Sequence, residues 1–276
     1  MRGLGALVAA APLALALLVS LPLAADAATP SPSPSEATAR IAHRVLDNGL
    51  EVFVVPDHAV PLVTVCVVFR GGAVAQDAKD AGLFHLYEHM MFDGNEKYPS
   101  EAAFNAALKG LGAASWNGST GDGSIEYYIT VPSERLAEGL AFWSWAVKRP
   151  VFNEAKLALE KKVVLDEIGG LHADPDEIFD NALTSRLYPV APWRKNVDGP
   201  ESNIRGASVA QLEAIRDAYY IPRNAALMIG GDADPDAAFA LAERWFGDWR
   251  GGAAPRLALP EQGAIPSGIA ILYPDP

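Results

Sequence analysis

The chain has 276 residues, half of them hydrophobic and a fifth charged, with a formal net charge of -12. That composition suits one large folded domain or two small ones and excludes a disordered tail. The acidic balance, without any cluster of Lys and Arg, argues against a nucleic-acid partner, because phosphate binding needs a basic face; the single cysteine, Cys66, excludes an intramolecular disulfide.

Arg2, the Leu/Ala/Val run from Leu4 to Leu23 and the Ala25-Asp26-Ala27 step read as an export signal over residues 1–27. A mature chain starting near Ala28 would be secreted or periplasmic, with no membrane contact after cleavage. Residues 28–41 hold the Pro/Ser alternation Thr29 to Ser35, an extended spacer.

The folded domain is expected over residues 42–250. His43 to Leu46 and Leu50 to Val55 form a hairpin about the Asn48-Gly49 turn, and Val63 to Phe69 is a third strand in which Cys66 reads as a small buried hydrophobe. The period then changes to that of helices, over Gly82 to Phe92 and Glu101 to Leu111. Two more strands, Ala113 to Thr120 and Ser124 to Val131, precede a helix from Ser133 to Arg149 capped by Ser133. A longer helix starts at an Asn153 cap and ends at Gly169-Gly170. Asp174-Pro175-Asp176 is a turn and helix cap and not a calcium loop, since the alternating acid ladder is missing. Helices over Asp176 to Leu187 and Val209 to Tyr220, a strand over Asn224 to Ile229 and a helix over Pro235 to Trp249 complete it. The order predicts an α+β fold, a mixed, largely antiparallel sheet with helices packed mainly on one face. Residues 251–276 read as a linker and the start of a missing second half.

Chemistry concentrates in His85-Leu86-Tyr87-Glu88-His89. Two histidines four apart on a helix present both imidazoles to one ion, and Glu88 beside them can take a proton from a metal-bound water. The order inverts the commoner H-E-x-x-H while placing base and ligands equivalently. A catalytic zinc needs a third protein ligand. Glu160 and Glu167, seven apart on one helix, point alike, but solvated helix faces are rich in carboxylates, so spacing alone leaves both open.

With that pentad and the Glu160/Glu167 pair, the chain resembles the insulinase/pitrilysin family of zinc metallopeptidases. The resemblance extends through Trp116-Asn117-Gly118, Tyr219 to Asn224 and Gly230-Gly231-Asp232. It implies a metallopeptidase half-domain like those of mitochondrial processing peptidase. One Zn2+ would be held by His85, His89 and Glu167, with Glu88 as the catalytic base, Glu160 as a supporting acid near the metal and Asn117 as a substrate-binding residue. Asp166, the rival ligand, lies about 100° round the helix. The resemblance also implies an oligopeptide or unfolded substrate that adds a strand to a sheet edge, and a second half-domain, from the same gene or a partner chain, that completes a chamber. Gly118 departs from the family's alanine, and Leu187-Tyr188-Pro189 stands where His-Pro-Tyr is common.

His43, His58 and His172 lack partners at ligand spacing and read as surface or capping residues, and Phe142, Trp143 and Trp145 as helix packing. A competing reading is a non-catalytic scaffold subunit of a two-chain complex, which an intact ligand set opposes. A zinc hydrolase with a downstream cysteine ligand fails, since no cysteine follows His89.

Overall fold

A computed structural model of the chain describes residues 41–171, 173–188, 197–257 and 268. The expected leader and nearly all of the spacer, His172, Pro189 and most of the expected linker lie outside the described residues. Period-two alternation builds a six-stranded sheet from β1 (Ala42–Val45), β2 (Glu51–Pro56), β3 (Leu62–Arg70), β4 (Ser115–Thr120), β5 (Ser124–Pro132) and β6 (Ala225–Gly231). Its order is β1-β2-β6-β3-β5-β4, antiparallel throughout except for the parallel pair β2 and β6. In β3, Val63, Val65, Val67 and Phe69 are buried, while Thr64, Cys66 and Val68 between them keep partial exposure.

The buried set faces a helical layer: α1 (Leu83–Phe92), α2 (Glu101–Gly110), α3 (Leu136–Lys148), α4 (Glu154–Leu171), α5 (Pro175–Leu187), α6 (Glu201–Gly206), α7 (Val209–Tyr219) and α8 (Pro235–Phe246). Phe104, Phe142 and Trp143 pack edge-on to one another, and Tyr127 of β5 joins them. As expected, Phe142 and Trp143 are core residues; Trp145 is partly exposed. The hairpin turn is anchored to the far end of the chain, since Asn48 Nδ2 donates to the carbonyls of Phe246 (2.7 Å) and Trp249 (3.2 Å) while Gly49 takes a φ of 89°.

On the opposite face of the sheet the described residues keep partly or fully exposed side chains. Paired residues run across it from His43 through Phe53, Met228, Cys66 and Tyr128 to Asn117. Cys66 is therefore only partly buried and lies outside the core: the alternation that buries Val65 and Val67 turns it to this side. His43 stacks on Phe53 and pairs with Glu51, and His58 pairs with Asp232, so both serve the surface.

Several expected boundaries move. Ser133 does not cap α3; its hydroxyl donates to Asp232 Oδ2 at 2.7 Å, residues 133–135 form a 3-10 turn, and the helix proper begins at Leu136. Gly169-Gly170 does not end α4, which runs on to Leu171. Neither glycine takes the positive φ that makes glycine a helix stop. β4 starts at Ser115 and α8 closes at Phe246, earlier than Trp249, which folds back to pack edge-on against Phe69. Asn153 and Asp174 cap α4 and α5 as the sequence suggests. The six-residue α6 has no forerunner in the sequence pattern. Among the described residues no helix is long and apolar enough to cross a membrane.

Candidate metal centre

The amphipathic pattern of α1 sets the centre. Leu83, Phe84, Leu86, Tyr87, Met90 and Met91 are buried, which leaves His85, Glu88, His89 and Phe92 on the remaining face at offsets of three, four and seven. Gly82 starts the helix with a φ of 89°. α4 packs alongside: Leu157, Val164 and Ile168 are buried, and the same rotation brings Glu160 and Glu167 to α1.

His85 Nε2 and His89 Nε2 lie 3.3 Å apart, and Glu167 Oε2 lies 3.8 Å from the first and 3.4 Å from the second. Three ligands of a tetrahedral zinc, each about 2.0–2.1 Å from the metal, stand about 3.3 Å from one another, so this donor set fits the ion in spacing and in chemistry. Among the described residues these three form the one group of metal-ligating type brought this close. Asp166 is exposed and outside it.

Each imidazole has a carboxylate behind it. Glu160 Oε2 lies 3.3 Å from His89 Nδ1, and Asp198 Oδ1 lies 3.2 Å from His85 Nδ1. Burial alone would depress the pKa of His85, but Asp198, Glu88 and Glu167 outweigh it and hold the imidazole above the ordinary histidine value. Glu88 meets β4, where Thr120 Oγ1 donates to its Oε2 at 2.6 Å. Gly118 faces the same side: a Cβ there would sit 3.1 Å from Glu88 Cγ and 2.9 Å from the Phe92 ring, so the absence of the family's alanine methyl lets Phe92 and Glu88 pack directly on the β4 backbone.

Asn117 is not brought to this cluster. It is exposed on β4, and alternation with Gly118 and Thr120 turns its side chain to the exposed face of the sheet. Two participants escaped sequence reasoning. Thr120 lay within the quoted β4 segment, where strand alternation from Gly118 could have singled it out; Asp198 lies on a loop with no local signal.

Residues 52–201 match the family described as "Insulinase (Peptidase family M16)", and residues 206–272 match "Peptidase M16 inactive domain". Over 207 residues the chain is 25% identical to an uncharacterized zinc protease of Rickettsia felis, covering 75% of this chain and 50% of that protein. It is also 25% identical over 201 residues to subunit 1 of the mitochondrial cytochrome b-c1 complex of Bos taurus, covering 73% and 41%. The solved first half of the periplasmic protease PqqL from Escherichia coli superposes with a TM-score of 0.75 at 21% identity, over 82% of this chain and 49% of that one, and so shares the fold. The chain spans about half the length of the curated relatives it matches.

Proposed function

Because the chain belongs to the insulinase family of peptidases (family M16), we propose that it is the zinc-binding, catalytic half of an endopeptidase that hydrolyses oligopeptides or unfolded segments. One observation carries this reading: Nε2 of His85, Nε2 of His89 and Oε2 of Glu167 converge at zinc-ligand spacing beside the carboxylate of Glu88. Zinc held there would polarise the scissile carbonyl and lower the pKa of a water molecule to about 7. Thr120 holds one oxygen of Glu88, leaving the other to take the proton of the attacking water and return it to the departing amine. Glu160 keeps the Nδ1 of His89 protonated and its Nε2 bare toward the metal.

The substrate enters as a strand along β4, the edge of the sheet nearest Glu88, where main-chain hydrogen bonds hold peptides of varied sequence. Asn117, exposed on that strand, contacts the peptide from the exposed face. A second half-domain, from the same gene or a partner chain, completes the chamber. The leader directs the protein out of the cytoplasm, to the periplasm or beyond.

The likeness to a cytochrome b-c1 subunit and the match to a profile called inactive favour a second reading, a non-catalytic subunit that supports a partner. Zinc analysis and one substitution separate the two. For the catalytic reading, the purified chain carries near one equivalent of zinc. Glu88→Gln then keeps that zinc while peptide hydrolysis, assayed with the second half present, falls at least about a hundredfold. A chain without zinc, or a Glu88→Gln variant of undiminished activity, rejects it.

A further inference from the structure

We infer that Asp198 is a positioning residue for His85: its carboxylate, held by a latch between the 197–203 segment and the start of α1, fixes the imidazole with Nδ1 protonated and Nε2 bare. This rests on the reading of His85 as a metal ligand.

The two histidines are supported unequally. Glu160, behind His89, shares α4 with Glu167, so one rigid helix carries both acids. Asp198 comes from a loop, and a loop carboxylate can orient an imidazole only if the loop is itself fixed. Gln76 does part of this. Its Nε2 donates to the carbonyl of Val197 at 3.3 Å, and its Oε1 accepts from the amide of Gly82 at 3.2 Å, so one side chain bridges the residue before Asp198 and the residue before α1.

On the other side Asn203 Nδ2 donates to the carbonyls of Ala78 (3.2 Å) and Ala81 (3.0 Å), tying α6 to the same entry turn. Between these bonds the two backbones touch. A Cβ on Gly82 would lie 2.2 Å from the Asp198 carbonyl oxygen, and one on Gly199 would lie 2.3 Å from Ala81. Both glycines have positive φ, 89° and 64°. Two glycines in left-handed backbone thus allow an approach that no side chain would permit, and that approach sets Asp198 Oδ1 in ion-pair contact, 3.2 Å, with Nδ1 of His85, a fully buried nitrogen with no hydrogen-bond partner among the described residues.

The consequence is chemical. A neutral imidazole carries one proton, and a carboxylate at Nδ1 keeps it there, so the Nε2 lone pair points at Glu167 and His89. Without that carboxylate both tautomers are populated and the ring is free to turn.

Two measurements on the full-length chain test this. In metal-free protein, at a pH above the raised titration range of His85 so that the ring is neutral, 15N shifts of His85 should show a protonated Nδ1 and a bare Nε2 in the wild type. Asp198→Ala should give a mixture, and Asp198→Asn, which keeps an acceptor oxygen without the charge, an intermediate state. In chelator competition, zinc affinity should fall about 10- to 100-fold in Asp198→Ala and less in Asp198→Asn. Gln76→Ala, which loosens the latch and leaves the acid, should cost affinity in the same direction by a few-fold. Wild-type His85 with its proton on Nε2, or Asp198→Ala with unchanged tautomer and affinity, overturns the proposal. The tautomer measurement needs no metal, so it fails or succeeds separately from the zinc assignment: a wild type that shows the expected tautomer and binds no zinc rejects the peptidase reading and leaves the role of Asp198 standing.

Discussion

The two faces of the sheet are built from the same strands and face opposite worlds. On the closed face Val52, Val65, Val67, Tyr127, Leu227 and Ile129 have no measurable exposure and meet α3, α8 and α1. On the exposed face Val55, Met228 and Trp116's neighbour Asn117 stand in solvent. The reactive groups belong to neither interior. They sit at the rim, where α1 crosses β4 and Glu88 reaches Thr120. A packed face supplies rigidity, because close-packed side chains cannot drift, while an edge supplies access, and the proposed hydrolytic centre needs both.

Consecutive residues of β6 break the comparison most directly. Leu227→Ala should destabilise the fold by about 2–5 kcal/mol, the cost of a large-to-small change in a core that cannot collapse. Chemical denaturation with an unchanged m-value would check it, and a cost below about 1 kcal/mol would mean that the helical layer is loose. A smaller effect belongs to the rim. Asp93 caps α1, and burial, then Glu160, push its carboxyl pKa up to about 6, Lys156 partly offsetting them. The folded state thus holds this proton more tightly than the unfolded chain, where the value is about 3.9. Stability from this group is present below about pH 4 and is lost as pH rises through about 6. In metal-free protein Asp93→Asn should therefore melt at a higher temperature than wild type above pH 6, with the difference closing toward pH 4. Parallel melting curves across that range would remove Asp93 as the cause.

How much of this was legible follows the same division. The strands were readable because one face is buried, so Val63, Val65, Val67 and Phe69 alternate with less apolar neighbours, and Asn48-Gly49 names its own turn. The pentad on α1 was readable because its five residues are consecutive and helix geometry alone puts both imidazoles on one side. Glu160 and Glu167 shared a face for the same reason, but choosing between them took the family's pattern, since periodicity does not say what packs opposite. Asp198 was invisible, because a loop far along the chain reaches His85 only through Gln76, Asn203 and two glycines with positive φ, and none of these has a period. Cys66 was misread since its apolar run looked uniformly buried, whereas a strand at the middle of a one-sided sheet buries only alternate residues. Ser133 was misread because a hydroxyl before a helix can cap it or bond elsewhere, and Asp232 competes better.

The smallest effect sharpens the contrast further. Met228 is 46% exposed and lies between Phe53 and Cys66 on the exposed face. Its side chain leaves water only in part, so Met228→Ser should change stability by no more than about 0.5 kcal/mol, within the range of ordinary surface substitutions. The measurement is the same denaturation experiment as for Leu227→Ala, one residue away. If the chain is assayed with its proposed second half-domain and Met228→Ser then costs several times more than in the chain alone, the partner covers this face; if the cost stays small in both, the two halves meet at the rim and leave the exposed face to solvent.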